Sequence, residues 1–277
     1  MKLKNKTAII TGATSGIGRV TAIDIAREGA RMVLPVRNIE KGKALKDEIE
    51  KETGNTNVEI MHCNLASLDS VRQFAKDFQK KHDKLHLLVN NAGLWETKRK
   101  ESDDGIEMNF AVNHLAPFLM TNLLLDTIKK SAPARIISVA SNAHKYGKMR
   151  FNDPEGKKSW GSMQSYAQSK LANILFTRRL ARDLEGSGVT ANCLHPGVVN
   201  TQLFSKLPGV IQKISSLFMI TPEKGAQTSI YLATSPDVEN ITGEYFDKQK
   251  IAKTTAHARD MQVADTLWEV SKEYCEL

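Results

Sequence analysis

Short apolar runs rich in β-branched residues alternate along this chain with longer segments whose apolar positions recur every three or four residues. The runs at 6–11, 31–36, 58–63, 85–89, 134–140, 189–195 and 242–246 predict seven strands. Helical spacing predicts helices over 19–28, 39–53, 67–82 and 103–130, around Tyr166, and from Thr221-Pro222-Glu223, where proline suits the first turn. Strands that alternate with helices pair in parallel and are covered on both faces. The expected class is therefore α/β, one doubly wound domain over 1–277 with a seven-stranded parallel sheet, and no repeat, low-complexity tract or Pro/Gly-rich linker divides it. A further apolar stripe at helical spacing (Leu203, Leu207, Val210, Ile211, Ile214, Leu217, Phe218) reads equally as a lid or as a helix packed on the core.

The first strand runs into Gly12-Ala13-Thr14-Ser15-Gly16-Ile17-Gly18 and then a helix. Glycine lets such a turn approach a pyrophosphate whose charge sits at the helix N-terminus, as in Rossmann domains. A bland glycine turn is the alternative, and its place between the chain's first strand and helix favours the nucleotide. The second strand ends at Val36 with Arg37 following. An acidic residue there would bind the adenosine ribose and repel a 2′-phosphate, whereas a guanidinium pairs with that phosphate, so Arg37 points to NADP(H), with Thr14 and Ser15 as hydroxyl helpers. Arg37 is also compatible with a plain surface cation. After the fourth strand, Asn90-Asn91-Ala92-Gly93 places small and amide residues at the ligand-binding edge of the sheet, where Ala92 and Gly93 would let the cofactor approach; an ordinary turn is the alternative.

Tyr166 and Lys170 stand four apart, on one face of a helix. A cation beside a phenol stabilises phenolate and lowers its pKa, giving an acid or base that works near neutrality. Ser141 at the end of the fifth strand could donate to a substrate carbonyl oxygen. Pro117 leaves the Asn113 carbonyl without its helical partner, so a water held there could extend a proton path from Lys170; a simple bend of the helix is the other reading. The stretch 142–165 before Tyr166, with Lys145, Tyr146, Phe151, Trp160 and Gly161, and the stretch 200–221 are the expected substrate loops.

Composition narrows the class further. With 41% hydrophobic residues the chain can bury a substantial core. Three scattered cysteines exclude a disulfide framework or a cysteine metal site. The net charge of +8 is spread along the chain without a nucleic-acid motif, which fits solvated faces and a local anion site. No stretch approaches a membrane span and no signal-like segment opens the chain, so a cytoplasmic protein is expected, with at most peripheral membrane contact.

Together, Thr11 to Gly18, Asn90-Asn91-Ala92-Gly93, Asn113, Ser141, Tyr166-x-x-x-Lys170 and His195-Pro196-Gly197 resemble the short-chain dehydrogenase/reductase superfamily across nearly the whole chain. Arg37, Asn142-Ala143-His144, Ser169-Lys170-Leu171-Ala172-Asn173 and the long interval from Ser141 to Tyr166 are similar to its retinol dehydrogenase and WW-domain oxidoreductase branch. The resemblance implies that Tyr166 is general acid/base, that Lys170 lowers its pKa and binds the nicotinamide ribose, that Ser141 orients the substrate oxygen, and that Asn113 supports a lysine–water relay. It also implies cofactor contacts from Asn64 and Leu65, where the family often has Asp-Leu against adenine, and from Asn90, Pro196, Gly197, Val199 and Thr201. The expected activity is hydride transfer between NADP(H) and a lipophilic carbonyl or alcohol, retinal or retinol among the candidates, by a homodimer or tetramer built on the Asn113 and Tyr166 helices. A dinucleotide-sensing or scaffold protein without catalysis is the alternative.

Overall fold

The computed structural model describes residues 1–198 and 220–277. Eight strands form one sheet: β1 (Thr7–Ile10), β2 (Arg31–Val36), β3 (Val58–His62), β4 (Leu87–Asn90), β5 (Ala134–Val139), β6 (Val189–His195), β7 (Tyr245–Asp247) and β8 (Lys250–Ile251). Their spatial order is β3-β2-β1-β4-β5-β6-β7-β8. The first seven pair in parallel as expected, and the eighth, a two-residue strand folded back on β7, is antiparallel. That addition was hidden because Lys250–Ile251 is too short to show a period; the turn before it needs positive φ at Lys248 and Gln249. Strand order reverses between β1 and β4, and in such sheets ligands bind in the crevice beyond the strand ends at that point.

Helices cover both faces. On one side lie α1 (Gly16–Arg27), α2 (Ile39–Thr53) and, further along the chain, α6 (Pro222–Thr234). They pack Ala22, Ile25, Leu45, Ile49 and Leu232 against Ile10, Met32, Leu34 and Val89. On the other side lie α3 (Leu68–Lys81), α4 (108–129), α5 (Ser162–Asp183) and α7 (Met261–Cys275), whose core includes Phe74, Phe78, Phe110, Phe118, Leu171 and Leu267. Strands that are apolar on both faces, such as the fully buried β1, follow from this double cover. No helix among the described residues is long and apolar enough to cross a membrane.

The helix expected over 103–130 starts later and is not simply kinked. Gly105 adopts φ +74° in a turn, and Asp104 spends its carboxylate on the free N–H of Leu68 at the start of α3, so the helix begins only at Met108, capped by Glu107 on the N–H of Phe110. It then runs as Met108–Phe110, a π-helical turn Ala111–Leu115 and Ala116–Lys129, together α4. The N–H of Ala116 reaches the carbonyl of Ala111, five residues back. A wider turn directly before Pro117 makes room for a ring that cannot donate to Asn113, and π-turns of this kind often mark functional sites.

Candidate active site

Beyond the C-terminal ends of β1, β4, β5 and β6 lies a cavity of about 1180 Å³. Gly12, Thr14, Ser15, Gly16, Ile17 and Gly18 line it from the β1–α1 turn, and Arg37, Asn64 and Leu65 from the ends of β2 and β3. Ala92 and Gly93 follow β4, Ser141 follows β5, Tyr166 and Lys170 project from α5, and Pro196 and Gly197 follow β6. Residues scattered over more than 180 positions thus meet in one space, because a parallel sheet brings every strand's C-terminal end to the same edge.

The β1–α1 turn suits a pyrophosphate. Gly12 has φ +66°, and a Cβ there would stand 2.9 Å from the Ala92 Cα. Ser15, at the N-cap, makes no side-chain cap bond, and the first turn of α1 carries no acidic side chain, so nothing on the helix opposes an anion at its positive end. Arg37 is exposed, and among the described residues it has no carboxylate partner. Asn64 lines the cavity, but its side chain is committed elsewhere: Nδ2 donates to Asp103 at 2.9 Å and Oδ1 accepts from the Ala66 N–H at 3.2 Å.

Two expected contact residues sit behind the cavity wall. Asn90 is buried, donates to Thr121 Oγ1 at 3.1 Å and does not line the space. Asn113 is fully buried; its Oδ1 accepts from the Leu94 N–H at 2.8 Å, and its Nδ2 donates to the Leu94 carbonyl at 2.9 Å and to Ser169 Oγ at 2.9 Å. Its amide therefore clamps the segment after Gly93. Val199, Thr201 and the apolar stripe at 203–218 lie outside the described residues.

Ser141, after β5, and Tyr166, on α5, face the same cavity, and the serine side chain acts on the phenol. Lys170 is 3% exposed, and its Nζ donates to the Val139 carbonyl at 3.0 Å and lies 5.7 Å from the centre of the Tyr166 ring. The charges differ from the expected pattern. Burial pushes the Tyr166 phenol up to about 12, opposed only by the Ser141 side chain, while burial alone brings Lys170 down to about 8. The Lys170 ammonium is turned to the Val139 carbonyl rather than to the phenol oxygen, and the phenol's rise is set by its burial.

Part of the cavity wall comes from an unexpected stretch. Leu94, Trp95, Met108 and Val112 line the cavity, and from the expected 142–165 loop only the stretch up to Tyr146 and Met163 reach it. Trp95 stacks on Tyr166 with ring centres 5.4 Å apart and donates Nε1 to Ser162 Oγ at 2.8 Å. Phe151 instead packs against the core, and Trp160 donates to Glu107. The one available signal was an aromatic two residues beyond the Asn-Asn-Ala-Gly turn. Among the described residues no three His, Cys, Asp or Glu side chains gather as a metal site.

A model of the short chain dehydrogenase family matches residues 6–209. The chain belongs to that family. Retinol dehydrogenase 11 of Mus musculus is 42% identical over 279 residues, which cover 100% of this chain and 87% of that protein. Retinol dehydrogenase 14 of Homo sapiens is 41% identical over 98% of this chain and 86% of its own length, so the resemblance to the retinol dehydrogenase branch holds. Among solved structures, an uncharacterized protein of Mycobacterium paratuberculosis superimposes with a TM-score of 0.81 at 30% identity, covering 99% of this chain and 94% of the other. As a short-chain dehydrogenase the chain is an oxidoreductase that uses a nicotinamide cofactor.

Proposed function

We propose that this short-chain dehydrogenase transfers hydride between NADP(H) and a lipophilic carbonyl or alcohol, with Tyr166 as the general acid/base. The observation that carries the reading is that Ser141, Tyr166 and Lys170 line the same cavity as the β1–α1 turn and Arg37. Tyr166 donates the proton to the substrate oxygen in reduction and takes it back in oxidation, and Ser141 orients that oxygen. A bound nicotinamide supplies the hydride at C4 and, when oxidised, a positive charge that favours phenolate. Lys170 would hold the nicotinamide ribose, and the backbone of Gly12 to Gly18 the pyrophosphate. The Asn113 carbonyl, denied an N–H by Pro117, is the acceptor that could hold a relay water for Lys170.

Arg37 supports the choice of NADP(H), since its guanidinium, without a carboxylate partner among the described residues, is placed to take a 2′-phosphate. The apolar wall of Leu94, Trp95, Met108, Val112 and Met163 suits a hydrophobic substrate, and the retinol dehydrogenase relatives suggest retinoids for the first assays. Oxidation of NADPH and of NADH is measured in parallel with apolar aldehydes and ketones, retinal included, on the wild type and on Arg37→Ala. NADPH is expected to be preferred, and R37A to lose roughly tenfold or more of that preference, as a charge-assisted bond would. A wild-type preference for NADH would remove Arg37 as the phosphate reader, and consumption of neither cofactor with any member of the panel would count against this substrate class.

A further inference from the structure

Ser141 stands where β5 ends and a 3₁₀-helical turn, Asn142–Tyr146, begins. Its hydroxyl oxygen accepts the Ala143 N–H at 3.1 Å, which fixes the side-chain rotamer and leaves the hydroxyl's own proton free to be donated. That much is an ordinary helix cap. The carbonyl of the same residue is held less ordinarily, because it receives two donors from His144, the main-chain N–H at 3.1 Å and the ring Nδ1 at 2.7 Å. A carbonyl has no proton to give, so Nδ1 carries one. Burial lowers the His144 pKa and keeps the ring neutral, so Nε2 is bare, and that buried atom has no hydrogen-bond partner among the described residues. An unpaired buried acceptor costs stability, and an apolar side chain would avoid that cost. What the imidazole adds, and an apolar side chain would lack, is the bond to Ser141.

The far end of the same peptide unit is held as well. The Asn142 N–H donates to Nδ1 of His195, at the end of β6, at 3.3 Å. His195 therefore has a bare Nδ1 and its proton on Nε2, the reverse of His144. The Ser141–Asn142 peptide is thus gripped at its oxygen by one histidine and at its nitrogen by another, and it cannot turn without breaking both bonds. Strand β7 braces the clamp. The buried Tyr245 ring meets His144 edge to face with centres 5.1 Å apart, and its hydroxyl donates to Asn142 Oδ1 at 3.1 Å. Asn142 Nδ2 donates to Asp247 at 3.3 Å.

We propose that His144 is a positioning residue for Ser141: with His195 it grips the Ser141–Asn142 peptide at both ends and so fixes where the Ser141 hydroxyl presents its proton to a substrate oxygen. The proposal rests on the reading of Ser141 as the group that orients that oxygen, and one arm of its test does not depend on that reading. His144→Leu deletes the ring donor and keeps an apolar side chain against Tyr245. His144→Asn keeps an N–H close to where Nδ1 stands, and Ser141→Ala supplies a second background.

Reduction of the best carbonyl compound of the panel is followed in all three variants and in the H144L/S141A double variant. H144L is expected to lower kcat by about tenfold with the NADPH dissociation constant within about twofold of wild type, as misplacement of a positioned group does. In S141A the same substitution should change kcat by less than about twofold, because the hydroxyl that it positions is gone. H144N should recover most of the loss. A general softening of the core would lower kcat by the same factor in both backgrounds, so an equal loss, or no loss in H144L, makes His144 only a core residue. Tyr245→Phe removes one oxygen from the brace on Asn142 and carries the same cycle, read the same way, if H144L does not fold. Imidazole nitrogen NMR spectra of the wild type need neither cofactor nor substrate. They are expected to show His144 protonated at Nδ1 and His195 at Nε2, each assigned by its loss in H144N or His195→Asn. A proton on Nε2 of His144 would overturn the clamp whatever the kinetics. Undiminished turnover in S141A with Nδ1–H on His144 would uphold the clamp and remove Ser141 from the reaction.

Discussion

At Tyr166 two influences on a phenol act in opposite directions. Burial raises its pKa to about 12, and the hydroxyl of Ser141 draws it back. A phenol so protected is a competent acid for delivering a proton to a nascent alkoxide, which is the reductive direction, and needs an added positive charge before it serves as a base. Trp95, stacked on its ring, holds that ring in place when the oxygen is deleted, so Tyr166→Phe removes chemistry and little else. Y166F is expected to lower kcat by about 10²–10⁴-fold, the range for loss of a positioned acid, while NADPH binding stays within a few-fold of wild type. Steady-state assays and a fluorescence titration check the two halves. Undiminished turnover would take the acid/base role away from Tyr166.

Among the elements, the β1–α1 turn depends most closely on single atoms. A Cβ on Gly18 would fall 2.3 Å from the Gly12 carbonyl oxygen and 2.4 Å from Asn91 Nδ2, so α1 can lie against the end of β1 only because Gly18 has no side chain. Gly18→Ala must push the helix away from the turn. It is expected to cost about 1–3 kcal/mol of stability, the usual range for overpacking, and to lower the melting temperature by several degrees. NADPH affinity should fall with it, because the same shift moves the backbone N–H groups of Gly16 and Ile17. Unchanged melting and binding in G18A would show that the turn can relax. This element was readable in the sequence because its function lies in glycine spacing between two strongly patterned segments. The start of α4 was not, because Asp104 acts through a partner distant in sequence, the Leu68 N–H. The Trp95 wall was hidden for the same reason, and so were the amide contacts: Asn113 and Asn173 look alike in sequence, and only the fold shows that one clamps Leu94 and the other Val139.

For the whole molecule, the decisive feature is where α7 lies. It occupies the outer groove between α4 and α5: Trp268 packs on Phe118 and Phe176 with ring centres 5.0 and 5.9 Å away, and Arg179 lies over its indole at 4.9 Å. Arg179 and Arg182 pair with Asp265, Phe110 meets Tyr274, and Cys275 at the helix end contacts the Leu115 carbonyl and receives the Arg72 guanidinium on its own. A homodimer built on the Asn113 and Tyr166 helices, as the family resemblance implied, would need that groove for a second copy. Displacing α7 would expose Trp268, Phe118 and Phe176, each worth about 1.5–3 kcal/mol in lost burial, before any new contact formed. The helix face is thus already filled from within the chain, and light scattering of the purified protein on a sizing column is expected to give the mass of one chain, 30.8 kDa. A stable dimer would mean that copies meet through another surface. Trp268→Ala separates the cases: it should leave a dimer on a different surface intact, while it would alter the association state if α7 were the element that decides it.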